Sequence, residues 1–150
     1  MAPAITGVLE TCLYVGDMPR ARRFYEGVLG LEGIYKEERL TVYDTGPASV
    51  LILFLSGGTT EPVTLGAGTI PPHDGNGPLH FALAIPADSL EDWRRHLAQA
   101  GVLLEGEVQW NAGGTSLYFR DPDEHLVELA TPGLWRNYPA TSAIGTPAQP

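Results

Sequence analysis

A chain of 150 residues with 43% hydrophobic content is long enough for one domain, or for two small modules sharing a core, and folds without needing a disulfide or a structural metal. The single cysteine, Cys12, excludes an intramolecular disulfide framework and fits a reducing compartment. A formal net charge of -9 at pH 7 argues against nucleic-acid binding, and no apolar run approaches the roughly 18 residues of a membrane span.

The chain starts Met1-Ala2-Pro3-Ala4, without the charged and apolar regions of a signal peptide, and a cytoplasmic location is expected. Residues 8–15 read as a strand. A helix follows, with Asp17 as N-cap, Pro19 in the first turn and Gly30 as the stop. Ala21, Phe24, Tyr25, Val28 and Leu29 make one apolar stripe meant to lie on a sheet. Arg20, Arg22 and Arg23 read as a solvated helix face. Three short strands are predicted at about 31–36, 39–45 and 49–55, the last two separated by Asp44-Thr45-Gly46-Pro47. Residues 57–78, rich in Gly, Pro and Thr, read as a linker or long loop.

The pattern then restarts. Residues 79–85 read as a strand, Ser89 as the cap of a second helix, and Asp92 as its capping-box partner. Leu90, Trp93, Leu97 and Ala100 form the stripe and Gly101 the stop; strands are predicted at about 103–109, 115–120 and 125–131. From Gly133 periodicity fades. Leu134 to Tyr138 is aromatic enough to pack, and the remainder is expected to be mobile.

The halves repeat in register. Glu10 answers to His80, Leu13 to Leu83, Val15 to Ile85 and Gly30 to Gly101. Matching order argues duplication. The expected fold is α+β: two βαβββ modules. Module one spans about 7–56, a linker 57–77, module two 78–133 and a tail 134–150.

Several runs resemble the vicinal oxygen chelate superfamily, which includes glyoxalase I, extradiol dioxygenases, fosfomycin-resistance enzymes and bleomycin-resistance proteins. They are Glu10 to Asp17, Arg22 to Tyr25, Val28 to Leu31, Leu79-His80-Phe81, and Tyr118 to Glu128 with its Phe-x-Asp-Pro-Asp turn. The resemblance implies that the two modules form paired cupped mixed sheets around a central cavity, with metal ligands on the first and last strands of modules: Glu10, where many members have His, together with His80 and Glu128. The last strand of module one, Val50 to Leu55, offers only apolar side chains, so a three-ligand set is implied. Glu124 stands where the family usually has Gly or Asn, and an altered turn is expected.

Alternation along the strands agrees with the resemblance. Glu10, Cys12 and Tyr14 share the less aliphatic face of the first strand, and His80, Ala82 and Ala84 that of its counterpart. Glu128 lies in an otherwise apolar strand, a costly place for a carboxylate without a partner. A cation between Glu10, His80 and Glu128 would explain all three. Glu10 and Glu128 are also the candidate catalytic carboxylates, and Mn, Fe(II), Ni or Zn suits a mixed nitrogen and oxygen set. Cys12, Tyr14, Trp110 and Tyr118 are the pocket-wall candidates. The plainer readings are an exposed Glu10, a hydrogen-bonded structural His80 and core aromatics. His73, in the linker loop, reads as solvated or as reaching the pocket mouth, and His96 and His125 read as structural. Cys12 has no neighbouring base to make it a nucleophile.

Two functions follow from these residues. One is a divalent-metal-dependent lyase, isomerase or oxygenase that chelates substrate oxygens. The other is a metal-free binding protein of the bleomycin-resistance kind, whose acidic surface suits a cationic ligand. The lack of a cationic cluster argues against a phosphonate substrate, and no further acid-base residue is identified for ring cleavage. A small-molecule ligand and a homodimer are expected in either case.

Overall fold

The first strand is built by alternation: Leu13 and Val15 are buried at 2% and 0% exposure, while Glu10 and Cys12, on the opposite face, stay exposed. A computed structural model describes residues 1–140, and the end of the predicted mobile tail lies outside them. The chain forms two compact units. The first comprises Met1–Leu79 with Asp121–His125; the second comprises His80–Arg120 and the segment from Leu126.

The first unit contains β1 (Glu10–Val15), α1 (Met18–Gly27), β2 (Gly33–Lys36), β3 (Leu40–Asp44), β4 (Val50–Leu55), β5 (Val63–Leu65) and β6 (Gly68–Ile70). Four of the strands form a sheet in the order β1-β4-β3-β2. β1 runs parallel to β4 with Glu10 opposite Val50 and Cys12 opposite Ile52. Asp17 caps α1 as expected, its Oδ1 accepting from the Arg20 N–H at 2.8 Å. Met18, Ala21, Phe24 and Tyr25 are its buried residues. Leu51, Leu53 and Tyr43, all within 1% of full burial, are the inward residues of β4 and β3.

Three expectations are corrected in this unit. Arg22 is not solvated, because its Nε donates to the Thr41 hydroxyl at 2.8 Å and its guanidinium also reaches the Glu37 carbonyl. The 57–78 segment is not all loop. Val63 pairs with Ile70 in the β5–β6 hairpin, where β-branched residues flank a turn at Gly66. Glu124, expected to disfavour a positive φ, adopts φ 67°, in a turn where the Asp121 Oδ1 accepts from the N–H groups of Asp123 and His125 at 3.0 and 2.8 Å.

The second unit contains β7 (His80–Ala84), α2 (Leu90–Gln99), β8 (Gly106–Gln109), β9 (Thr115–Arg120) and β10 (Leu126–Ala130). Its sheet repeats the first, in the order β7-β10-β9-β8, with β7 parallel to β10. Gly30 and Gly101 end equivalent helices at φ 67° and 73°, a left-handed conformation that glycine adopts without strain. Phe119, Leu117, Val127 and Leu97 are fully buried and form the core of this unit.

The expected capping box of α2 does not form. A short 3-10 turn, Ala87–Ser89, precedes the helix, and the Ser89 hydroxyl donates backwards to the Pro86 carbonyl at 2.7 Å. Asp92 pairs with Arg95 instead. In the predicted stripe Leu97 alone is fully buried. Of the aromatic tail, Tyr138 packs, its hydroxyl donating to the Ala130 carbonyl at 3.4 Å, whereas Trp135 is 68% exposed. No helix among the described residues is long and apolar enough to cross a membrane.

Candidate functional site

The strand registers of the second unit place several polar side chains on one sheet face. His80 is opposite Leu126, Tyr118 is opposite Glu128, and Ser116 is opposite Ala130. Period-two alternation therefore puts His80, Glu128, Tyr118 and Ser116 on the face away from Phe81, Val127 and Leu117.

Glu128 is only 4% exposed, and each of its oxygens has a defined neighbour. Oε1 accepts from the Ser116 hydroxyl at 2.5 Å. Ser116 in turn accepts from the Trp110 indole N–H at 2.9 Å. Oε2 lies 3.3 Å from His80 Nε2. The other ring nitrogen, His80 Nδ1, lies 3.0 Å from the Leu126 carbonyl, which only accepts, so Nδ1 carries the hydrogen.

This tautomer decides what the pair can hold. A neutral His80 turns a bare nitrogen lone pair toward a carboxylate oxygen. Two acceptors at that distance repel unless one positive charge lies between them, a proton or a metal ion. A histidine whose second N–H is fixed by a backbone carbonyl is also the usual posture of a metal-ligating imidazole. The donor set, one imidazole nitrogen and one carboxylate oxygen, fits a borderline divalent ion. The structure thus joins two of the three expected ligands.

Tyr118 stands at the same place, its ring centre 6.3 Å from that of His80. Burial pushes its phenol above the ordinary value, the Ser116 hydroxyl opposes the rise and the Glu128 carboxylate adds to it. Tyr118 therefore stays a hydrogen-bond donor at neutral pH. Trp110 is 38% exposed and reaches the cluster through its indole nitrogen.

Glu10 belongs to the first unit, exposed at the start of β1. Among the described residues, no group of three or more His, Cys, Asp or Glu side chains is arranged to hold a metal ion. Cys12 shares the Glu10 face. Burial, and then the Glu10 charge, push its thiol up, which keeps it protonated and a poor nucleophile.

Tyr14, two residues further on, meets a partner that the sequence had left in solvent or at the pocket mouth. Its hydroxyl lies 2.7 Å from His73 Nδ1, and the His73 ring packs edge-on against Phe54 at 4.8 Å. The His73 N–H donates to the Thr59 carbonyl at 2.9 Å, and the Thr59 hydroxyl returns a bond to the His73 carbonyl. His125 proves structural, 1% exposed. His96 is exposed and packs on Trp93.

Sequence reasoning missed Ser116 and the His73 contact. Ser116 had a legible signal, since it alternates with Tyr118 on the strand facing Glu128. His73 had none, because its position depends on how the loop folds back.

A family model described as the Glyoxalase/Bleomycin resistance protein/Dioxygenase superfamily matches residues 7–129. A metallothiol transferase FosB from Bacillus licheniformis is 28% identical over 128 residues, covering 85% of this chain and 76% of the relative. A metallothiol transferase FosB from Staphylococcus epidermidis is 26% identical, over 85% of this chain and 82% of its own. Among solved structures, a lactoylglutathione lyase from Agrobacterium tumefaciens superposes with a TM-score of 0.79 at 27% identity, covering 89% of this chain and 99% of that one.

Proposed function

Because the chain belongs to the Glyoxalase/Bleomycin resistance protein/Dioxygenase superfamily, we propose that it is a divalent-metal-dependent enzyme acting on a small molecule that offers oxygen donors to the metal. His80, Glu128 and Glu10 are the proposed ligands. The observation that carries this reading is the approach of His80 Nε2 to Glu128 Oε2, 3.3 Å apart, with the histidine's other nitrogen committed to a backbone carbonyl. The names of the relatives, a metallothiol transferase and a lactoylglutathione lyase, support a metal and a small thiol-derived substrate. Among lyase, isomerase and oxygenase chemistry, the lyase is the form favoured by the Agrobacterium structure.

The bound ion would supply Lewis acidity to a coordinated substrate oxygen. The chain supplies the rest. The Leu126 carbonyl keeps His80 in the tautomer that frees Nε2, and Ser116 orients Glu128. Tyr118, held protonated, donates to a substrate oxygen. Tyr14 and Trp110 serve as walls. Pairing of two copies belongs to the same reading, supported by Ile34 and Tyr35, each 55% exposed on the edge strand β2. Light scattering reads the oligomeric state.

Elemental analysis of protein purified without chelator, followed by calorimetric titration with Mn, Fe(II), Ni and Zn, tests the metal. One ion per chain is expected, with affinity lowered at least about tenfold by His80→Ala, Glu128→Gln or Glu10→Gln. Protein that carries no metal and binds none of the four ions would show instead a metal-free binding protein.

A further inference from the structure

Resting on that reading of Glu128, we infer that Trp110 and Ser116 are positioning residues. Together they occupy Oε1 of Glu128, so that the carboxylate is presented through Oε2 alone and binds its ion through one oxygen.

The direction of the hydrogen-bond chain is dictated by chemistry. An indole N–H only donates, so Ser116 Oγ accepts from Trp110 at 2.9 Å. The serine hydrogen must then point elsewhere, and Glu128 Oε1 lies 2.5 Å away. A carboxylate oxygen accepts. The chain therefore runs one way, from indole to hydroxyl to carboxylate. Ser116 is fully buried and Glu128 is 4% exposed, so water competes poorly for either link.

The backbone fixes both ends. Ser116 and Glu128 lie on adjacent paired strands, diagonal to each other on one face, since Glu128 faces Tyr118 and Ala130 faces Ser116. Trp110 sits in the tight turn after β8, where its N–H donates to the Gly114 carbonyl at 2.8 Å and its carbonyl accepts from Gly113 at 2.9 Å. The indole is thus carried by a turn whose ends are tied to β8 and β9. With Oε1 engaged, Oε2 is the one oxygen turned toward His80. One-oxygen ligation would leave open to a substrate oxygen the coordination position that the second oxygen of a chelating carboxylate would take.

The test uses the full chain with its tryptophans labelled at the indole nitrogen. There are 3 tryptophans, so each indole N–H resonance is assignable by substitution. Zn is titrated into the labelled protein, and Mn affinity is measured by calorimetry. In the wild type the Trp110 resonance should move as Zn is added and stop moving once one equivalent per chain is bound. Ser116→Ala should lower Mn affinity by about 10- to 100-fold and leave the Trp110 resonance still. Ser116→Thr, which keeps the hydroxyl, should restore both, and this variant separates loss of the hydroxyl from loss of packing. Trp110→Phe should weaken binding by a smaller factor.

Wild-type affinity in Ser116→Ala, or a Trp110 resonance that ignores Zn while the ion binds, overturns the inference and leaves the metal reading intact. If the wild type binds neither ion, the metal reading and one-oxygen ligation both fail, and the metal-free spectra decide the positioning role. A shift of the Trp110 resonance on Glu128→Gln that vanishes in the Ser116→Ala background supports positioning of the carboxylate. No shift overturns it.

Discussion

The Tyr25 hydroxyl donates to Asp121 Oδ2 at 2.7 Å, fastening α1 to the turn that carries residues 121–125. Tyr25 is fully buried and Asp121 is 3% exposed. Burial raises the Asp121 carboxyl above its ordinary value, while the Tyr25 hydroxyl and His125 pull the other way. Removing the phenol hydroxyl leaves Asp121 Oδ2 without this donor. Tyr25→Phe should cost about 1–3 kcal/mol, read as a lower midpoint in urea.

The same carboxyl sets a pH dependence. A carboxyl raised in the folded state binds its proton more tightly there than in the unfolded chain. Its contribution is therefore complete in acid and is lost as pH rises through the folded value. Asp121→Asn keeps an acceptor for the Asp123 and His125 amides and cannot ionise. Its stability relative to wild type should improve as pH rises from about 3 to about 6. A flat difference across that range contradicts the assignment.

His125 is committed at both nitrogens. Nδ1 accepts from the Leu79 N–H at 3.0 Å, and Nε2 donates to the Tyr14 carbonyl at 2.8 Å. One buried ring thus satisfies backbone groups beside His80 and within β1. His125→Ala abandons two part-buried backbone groups and opens a cavity, for an expected loss of about 2–5 kcal/mol. Faster exchange of the Leu79 amide should accompany it.

Glu124 holds a left-handed conformation, φ 67°, that glycine would hold without strain. Glu124→Gly should stabilise the chain by up to about 1 kcal/mol, less whatever its side chain contributes. Thermal unfolding of the two proteins measures the difference.

Gly75 lies against the Tyr14 ring; a Cβ there would sit 2.5 Å from Cδ2. Gly75→Ala should push the ring off its place and break the Tyr14–His73 bond, at about 1–3 kcal/mol. A shift of the His73 ring resonances, absent in Tyr14→Phe carrying the same change, checks the route.

Much of the fold was legible because two periodicities do most of the specifying. Asp17, Ala21, Phe24 and Tyr25 declare α1, and the alternation of Leu13 and Val15 with Glu10 and Cys12 declares β1. The failures have two causes. Ser89 turns back on the Pro86 carbonyl three residues earlier, a local bond that competes with capping, whereas Arg22 meets a strand hydroxyl that only the fold brings to it. The β5–β6 hairpin is only three residues a side and is submerged in a Gly- and Thr-rich stretch. His80 was legible from its match to Glu10 in the repeat, and Glu128 as a carboxylate in an otherwise apolar strand. Their link to Ser116 and Trp110 needed the register of β9 on β10, which composition alone does not supply.

The duplicated strands also diverge at one point. β4 carries Ile52 opposite Cys12, where β10 carries Glu128 opposite Ala82. Ile52 is 8% exposed, so both halves bury this site, one with a hydrocarbon and the other with a carboxylate tied to Ser116. The paired scaffold thereby divides its labour. One copy is free to keep a plain apolar wall and accept mutation on packing grounds alone. The other must preserve a directional set of polar partners, so equivalent substitutions in the two halves should be tolerated very unequally.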